Sequence, residues 1–166
     1  CCCCCCCCCG GGGGPQPIFA EMTLAMDRDL EFVNAVVWAK PGLGMGLSYR
    51  RSYEFMLVAK RPGAPMRWNA EYANRRASNV VTFPKILPTK KQHPTQKPEE
   101  LMAQFMTLHS FPGDLVFDTW SGSGTTVVVA ERLGRRWIAC EIQEDFCDMS
   151  IPRISGAAAQ TALSIL

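Results

Sequence analysis

The residues of this 166-residue chain best suited to chemistry are two carboxylates and the glycines between them. Asp118 ends the apolar run Leu115-Val116-Phe117, and Thr119-Trp120-Ser121-Gly122-Ser123-Gly124-Thr125-Thr126 follows. A strand, a Gly-rich turn and a helix bring backbone close to a bound adenosine-containing ligand. Gly122 and Gly124 leave room for that approach because neither carries a Cβ. Glu141 stands 23 positions after Asp118, near the ~20-residue offset of a carboxylate that accepts ribose hydroxyls. A dinucleotide fingerprint needs a third Gly where Val127 stands, and a phosphate-cradling loop needs a Lys after Gly124 that is not there. Asp118 would also place like charge beside a phosphate. A cationic sulfonium nucleoside, S-adenosylmethionine, is easier to accommodate, although the loop alone leaves the ligand open.

The elements that must position these groups can be read on either side. Val127 to Leu133 is a helical run that Gly134 stops, and Arg136 to Cys140 is the next strand, with Glu141 at its carboxyl end. Upstream, Pro98, Glu99 and Glu100 suit a helix start, and Leu101, Met102, Phe105, Met106 and Leu108 give it an apolar stripe. Phe111-Pro112-Gly113-Asp114 is then a turn. Residues 33–39 and 53–59 read as strands apolar on both faces, which suits the interior of an α/β sheet. No segment has the ~18 apolar residues of a membrane span and no signal-peptide pattern leads the chain, so the expected setting is intracellular and cytoplasmic, with no membrane partner.

Charge and composition divide the chain. Seventeen Lys and Arg against fifteen Asp and Glu argue against a histone-like binder. Residues 64–92 nevertheless hold Arg67, Arg75, Arg76, Lys85, Lys90 and Lys91 against Glu71 alone, a local +5, whereas residues 93–150 carry −5. The ordinary alternative for such a run is a solvated face. Nine of the eleven Cys are Cys1 to Cys9, followed by Gly10 to Gly14, so a disulfide framework is excluded. Residues 1–20 are expected to be a low-complexity leader outside the fold.

Two ordered motifs then carry a specific resemblance. His93-Pro94-Thr95-Gln96-Lys97-Pro98 precedes Asp118-Thr119-Trp120-Ser121-Gly122-Ser123-Gly124-Thr125-Thr126 by one helix, and Gly134-Arg135-Arg136 through Glu141 continues the pattern. Val37-Trp38-Ala39-Lys40 and Tyr53-Glu54-Phe55 add to it, so that most of residues 33–154 are covered. The sequence resembles the DNA methyltransferases that modify adenine N6 or cytosine N4, in the permuted order that puts the cofactor half last. That resemblance implies an α/β Rossmann-like fold and S-adenosyl-L-methionine as cofactor. It implies that His93, Thr95, Lys97, Ser123, Gly124 and Thr125 hold the carboxylate end, with Gly122 also in the cofactor-binding loop. Asp118 would lie beneath the methionine part, Trp120 would keep an aromatic beside the loop, and Glu141 would bind the ribose. Family members commonly have Pro at the position of Thr119 and Phe at that of Trp120. Ordinary alternatives remain: His93 as a turn residue before Pro94, Glu141 as a surface carboxylate after a strand.

The same resemblance exposes what is missing. In this family a loop Asp/Asn/Ser-Pro-Pro-aromatic accepts the amine of a target base flipped out of double-stranded DNA, and no Pro-Pro pair occurs in the sequence. No catalytic residue and no metal ligand is therefore assigned. The chain reads as the C-terminal portion of a site-specific methyltransferase, inactive by itself, needing a missing N-terminal portion or a partner subunit. Residues 21–166 would be a partial domain, with 64–92 a target-recognition-like insert and 93–154 the cofactor half. The missing strand would lie between those at Leu115 and Val33, leaving the central sheet incomplete, with unpaired backbone or a rearranged contact and poor solubility. Arg67, Arg75, Arg76, Lys90 and Lys91 would neutralise phosphates without reading bases. Two competing readings stand: a methyltransferase acting on RNA or a small molecule, and a non-catalytic DNA- or partner-binding remnant.

Overall fold

The computed structural model of the chain describes residues 4–5, 18–42, 44, 50, 52–73, 77–87, 89 and 96–165. They form strand β1 (Cys4–Cys5), helix α1 (Ile18–Asp29), β2 (Glu31–Ala39), β3 (Tyr53–Lys60), the single turn α2 (Ala70–Ala73), β4 (Val80–Thr82), α3 (Glu99–His109), β5 (Leu115–Asp118), α4 (Thr125–Arg132), β6 (Arg136–Ala139) and α5 (Glu144–Ile165). Two compact units share these elements, the first built mainly from residues 2–67 and 73–85, the second from 68–72 and 86–166.

The first unit is a four-stranded sheet in the order β1-β3-β2-β4. β2 and β3 run antiparallel, pairing Val36 with Met56 and Trp38 with Glu54, and the register shifts between Phe32 and Asn34. Both strands are interior, as their two-sided apolarity requires, and Met56, Leu57, Val58 and Ala59 are buried in succession. Trp38 is buried with its indole N–H donating to the Phe83 carbonyl at 2.9 Å, and Lys40 lies 4.9 Å from the same ring while pairing with Glu54. At the far end, the ammonium of Lys60 hydrogen-bonds Glu31 and holds its carboxyl below the ordinary value.

Three features differ from the sequence expectation. Cys4 and Cys5 pair with Val58 and Leu57 of β3, and α1 begins at Ile18. The leader is thus not wholly outside the fold, and the boundary at residue 20 falls within a helix. A backbone ladder needs only N–H and C=O groups, so it is indifferent to the low complexity of the side chains. The third is β4, which comes from the basic segment and pairs in parallel with Val37–Ala39 of β2. An edge of β2 is thereby paired over three residues.

The second unit centres on α4. Val127, Val128, Val129 and Ala130 are all buried, because α4 packs against α3, α5 and the two-stranded parallel sheet of β5 and β6. The connection β5–α4–β6 is a βαβ unit, the form that parallel strands demand. Leu115 pairs with Arg136 and Phe117 with Ile138. Alternation puts Leu115, Phe117 and Ile138 on one face of this sheet, and Val116 and Trp137 on the other. The indole N–H of Trp137 donates to Glu131 of α4 at 2.8 Å, which identifies the covered side. On the opposite face Leu115, Phe117 and Ile138 are 38%, 60% and 52% exposed. Among the described residues β5 is paired on one edge only.

Buried Arg135 ties this unit together. Its guanidinium donates to the Ser110 hydroxyl at 3.1 Å, to the Ser110 carbonyl at 2.9 Å and to the Leu133 carbonyl. Burial holds its ionisation below the usual arginine value, with Asp114 opposing that effect. Among the described residues no helix is long and apolar enough to cross a membrane, and no cluster of metal-binding side chains forms. Cys140 and Cys147 are free thiols.

Candidate functional site

The site is assembled where β5 and β6 end. Beyond the last ladder pair the two chains stay joined: the Cys140 amide donates to the Asp118 carbonyl at 2.9 Å, and the Ser121 amide to the Cys140 carbonyl at 3.0 Å. Asp118 turns the chain by accepting the Trp120 amide at 3.1 Å on Oδ1, the local bond that makes Asp a turn residue. Gly122 and Gly124 then take φ values of 53° and 76°, left-handed backbone open to glycine at little cost. The Gly124 amide closes the turn on the Ser121 carbonyl at 2.9 Å, and α4 starts one residue later.

Glu141 reaches back across this turn. Its Oε2 accepts the Gly122 amide at 2.7 Å, while Oε1 accepts the amides of Ile142 and Gln143 at 2.9 and 3.0 Å. Three backbone N–H groups therefore fix the direction of one carboxylate. A carboxylate accepts more than one bond at each oxygen, so an oriented Glu141 suits a diol. The Gly-rich turn and the acid 23 residues from Asp118 are thus brought into direct contact. Trp120 and Ile142, immediately beside these contacts in the chain, are 85% and 95% exposed. The sequence reading passed over Ile142, whose signal was an apolar residue directly after the acid at a strand end.

Other expected residues are placed with varying detail. Ser123 and Thr125 are buried, with their hydroxyl oxygens 3.5 Å apart. The helix starts at Thr125, two residues before the helical run expected from Val127, with Gly124 as its cap. The room left by Gly124 is not on the ligand side alone: a Cβ there would come within 2.9 Å of the Ser150 Cβ of α5. The missing Cβ thus serves close helix–loop packing, a role that one sequence cannot distinguish from ligand approach. Lys97 immediately precedes Pro98, the N-cap of α3. Arg67 is exposed in the first unit. His93, Thr95, Arg75, Arg76, Lys90 and Lys91 lie outside the described residues.

Comparison with known proteins identifies the family. The DNA methylase family of N6- and N4-methyltransferases matches residues 6–152. The chain is 34% identical over 109 residues to the DNA adenine methyltransferase YhdJ of Escherichia coli (strain K12), covering 64% of this chain and 36% of that protein. It is 29% identical over 145 residues to the type II methyltransferase M2.DpnII of Streptococcus pneumoniae, covering 79% and 54%. Thus the chain spans about a third to a half of the curated relatives it matches. Among solved structures, the M1.HpyAVI–SAM complex superposes with a TM-score of 0.73 at 23% identity, over 85% of this chain and 71% of that one, a likeness of fold. With the family model spanning most of its length, the chain belongs to the family of DNA methyltransferases that act on adenine N6 or cytosine N4.

Proposed function

We propose that this chain is the cofactor-holding part of a site-specific DNA methyltransferase that uses S-adenosyl-L-methionine. The observation that carries the reading is the bond from the Gly122 amide to Glu141, which joins a left-handed glycine turn to an oriented carboxylate. The donor set fits the cofactor. Glu141 would accept the ribose hydroxyls, and exposed Trp120 and Ile142 offer apolar surface for the adenine. Asp118 would lie beneath the methionine part, a carboxylate that favours a sulfonium over a phosphate. The amino end of α4, with Ser123 and Thr125, would favour the cofactor carboxylate, together with Lys97, His93 and Thr95. When bound, the cofactor supplies an electrophilic methyl group on a sulfonium sulfur.

Double-stranded DNA is the proposed partner, held through phosphates by Arg67, Arg75, Arg76, Lys90 and Lys91, with the target base flipped out. The proposed setting of the working protein is the cytoplasm, where it would reach DNA. The Pro-Pro loop that would accept the target amine does not occur in these 166 residues, so methyl transfer is assigned to an assembly with a polypeptide that carries it. The edge of β5 that is unpaired among the described residues and the exposed Leu115–Phe117–Ile138 face support such a partner.

Isothermal titration of the chain with S-adenosylmethionine tests the cofactor assignment. One-to-one binding is expected, weakened about tenfold or more by Glu141→Gln, the cost of charge-assisted hydrogen bonds. Absence of binding, or equal affinity in the variant, contradicts it.

A further inference from the structure

We infer that Arg153 is a positioning residue for the cofactor loop, tying the Ser123 carbonyl to the Glu99 carboxylate and so fixing the loop against the start of α3. The inference rests on the cofactor assignment above and adds a residue from the C-terminal helix to it.

One guanidinium makes both bonds. Nη1 of Arg153 donates to the Ser123 carbonyl, and Nη2 donates to Glu99 Oε1 at 2.8 Å. The Arg153 side chain is only 13% exposed, so the pair is shielded more than an ordinary surface ion pair. A planar guanidinium holds its donors at fixed angles, so the two acceptors are held relative to each other. The Ser123 carbonyl and the Gly124 amide belong to one planar peptide unit. Fixing that oxygen therefore fixes the direction of the Gly124 N–H, which closes the turn on Ser121. Gly122 is pinned from the other side by Glu141.

The contact belongs to a continuous stripe of α5. Ser150 and Ile154 lie against Gly124, the Ile154 Cδ1 standing 3.7 Å from where a Cβ would be, and Arg153 falls between them on the same helix face. One turn earlier, the Cys147 thiol lies 3.8 Å from the Glu141 carbonyl. This face thus touches both halves of the candidate site. Glu99 is the first residue of α3, two positions after Lys97, and it also accepts from Arg132 of α4. Arg132 touches no part of the loop in these bonds, which makes it the natural control.

Titration of the full chain with S-adenosylmethionine, well below the unfolding midpoint, separates positioning from stability, because the folded fraction then leaves the apparent affinity unaltered. Arg153→Lys keeps the charge but not the fork; it is expected to weaken binding roughly tenfold, and Glu99→Gln about threefold. Arg132→Gln should leave affinity unchanged, and thermal unfolding without cofactor should show all three variants folded at the titration temperature. If wild type binds and Arg153→Lys binds equally well, the inference is overturned while the cofactor assignment stands. If wild type does not bind, both fall. Should Arg153→Lys fail to fold, Glu99→Gln decides, and unchanged affinity there overturns the inference.

Discussion

At the scale of single residues, the site depends on backbone that only certain residues tolerate. Gly124 combines a φ of 76° with a 2.9 Å approach of the Ser150 Cβ to the position of an added Cβ. Gly134 has a similar φ of 68° but open space around it. Gly134→Ala is therefore expected to cost only the conformational penalty, about 1–2 kcal/mol. Gly124→Ala adds overpacking and should cost about 3 kcal/mol or more. Urea unfolding of both variants measures the difference, and equal losses would show that the contact with α5 contributes nothing. The Gly-rich loop and Glu141 were legible in the sequence because spacing and residue type specify them. The partner of Gly124 was not, since Ser150 lies 26 positions away in a segment with no motif.

At the scale of elements, the βαβ unit and α3 were the readable part. Turn residues punctuate them at Phe111–Asp114 and Gly134, and α3 has both an acidic start and an apolar stripe. α5 was hidden by Pro152 in its interior, which breaks the expected pattern even though the helix runs for 22 residues. β4 has three residues and β1 two, too short for any periodicity to register. Beside the apolar packing of α4, Arg135 joins the elements, its guanidinium linking the end of α3 to the end of α4. Arg135→Met should leave the Ser110 and Leu133 carbonyls without that donor and lose about 3 kcal/mol of stability. The exposed neighbour Arg136, which donates to Gly113 at 3.0 Å, should lose under about 1 kcal/mol on the same change. Thermal unfolding compares the two, and comparable losses would contradict the role given to Arg135.

At the scale of the whole molecule, the described strands form two sheets, and in the second, among the described residues, β5 is paired on one edge while Leu115, Phe117 and Ile138 are exposed. A strand edge unpaired among the described residues, beside exposed Leu115, Phe117 and Ile138, favours self-association. Concentration-dependent sedimentation of the chain is expected, and Phe117→Ser should reduce it without altering cofactor affinity. A chain that sediments as a monomer at every concentration would contradict that reading of the face. The pairing of β4 with β2 was not legible, because strand pairing between distant segments leaves no local mark in a sequence.

The placement of the cofactor is tested most directly by an amide-resolved NMR titration of the chain with S-adenosylmethionine. The amides of Gly122, Ile142 and Gln143 all bond to the Glu141 carboxylate, so they should shift together and saturate along one binding curve while those of β2 and β3 stay in place. Binding that leaves these three amides unmoved would put the cofactor elsewhere and contradict the site.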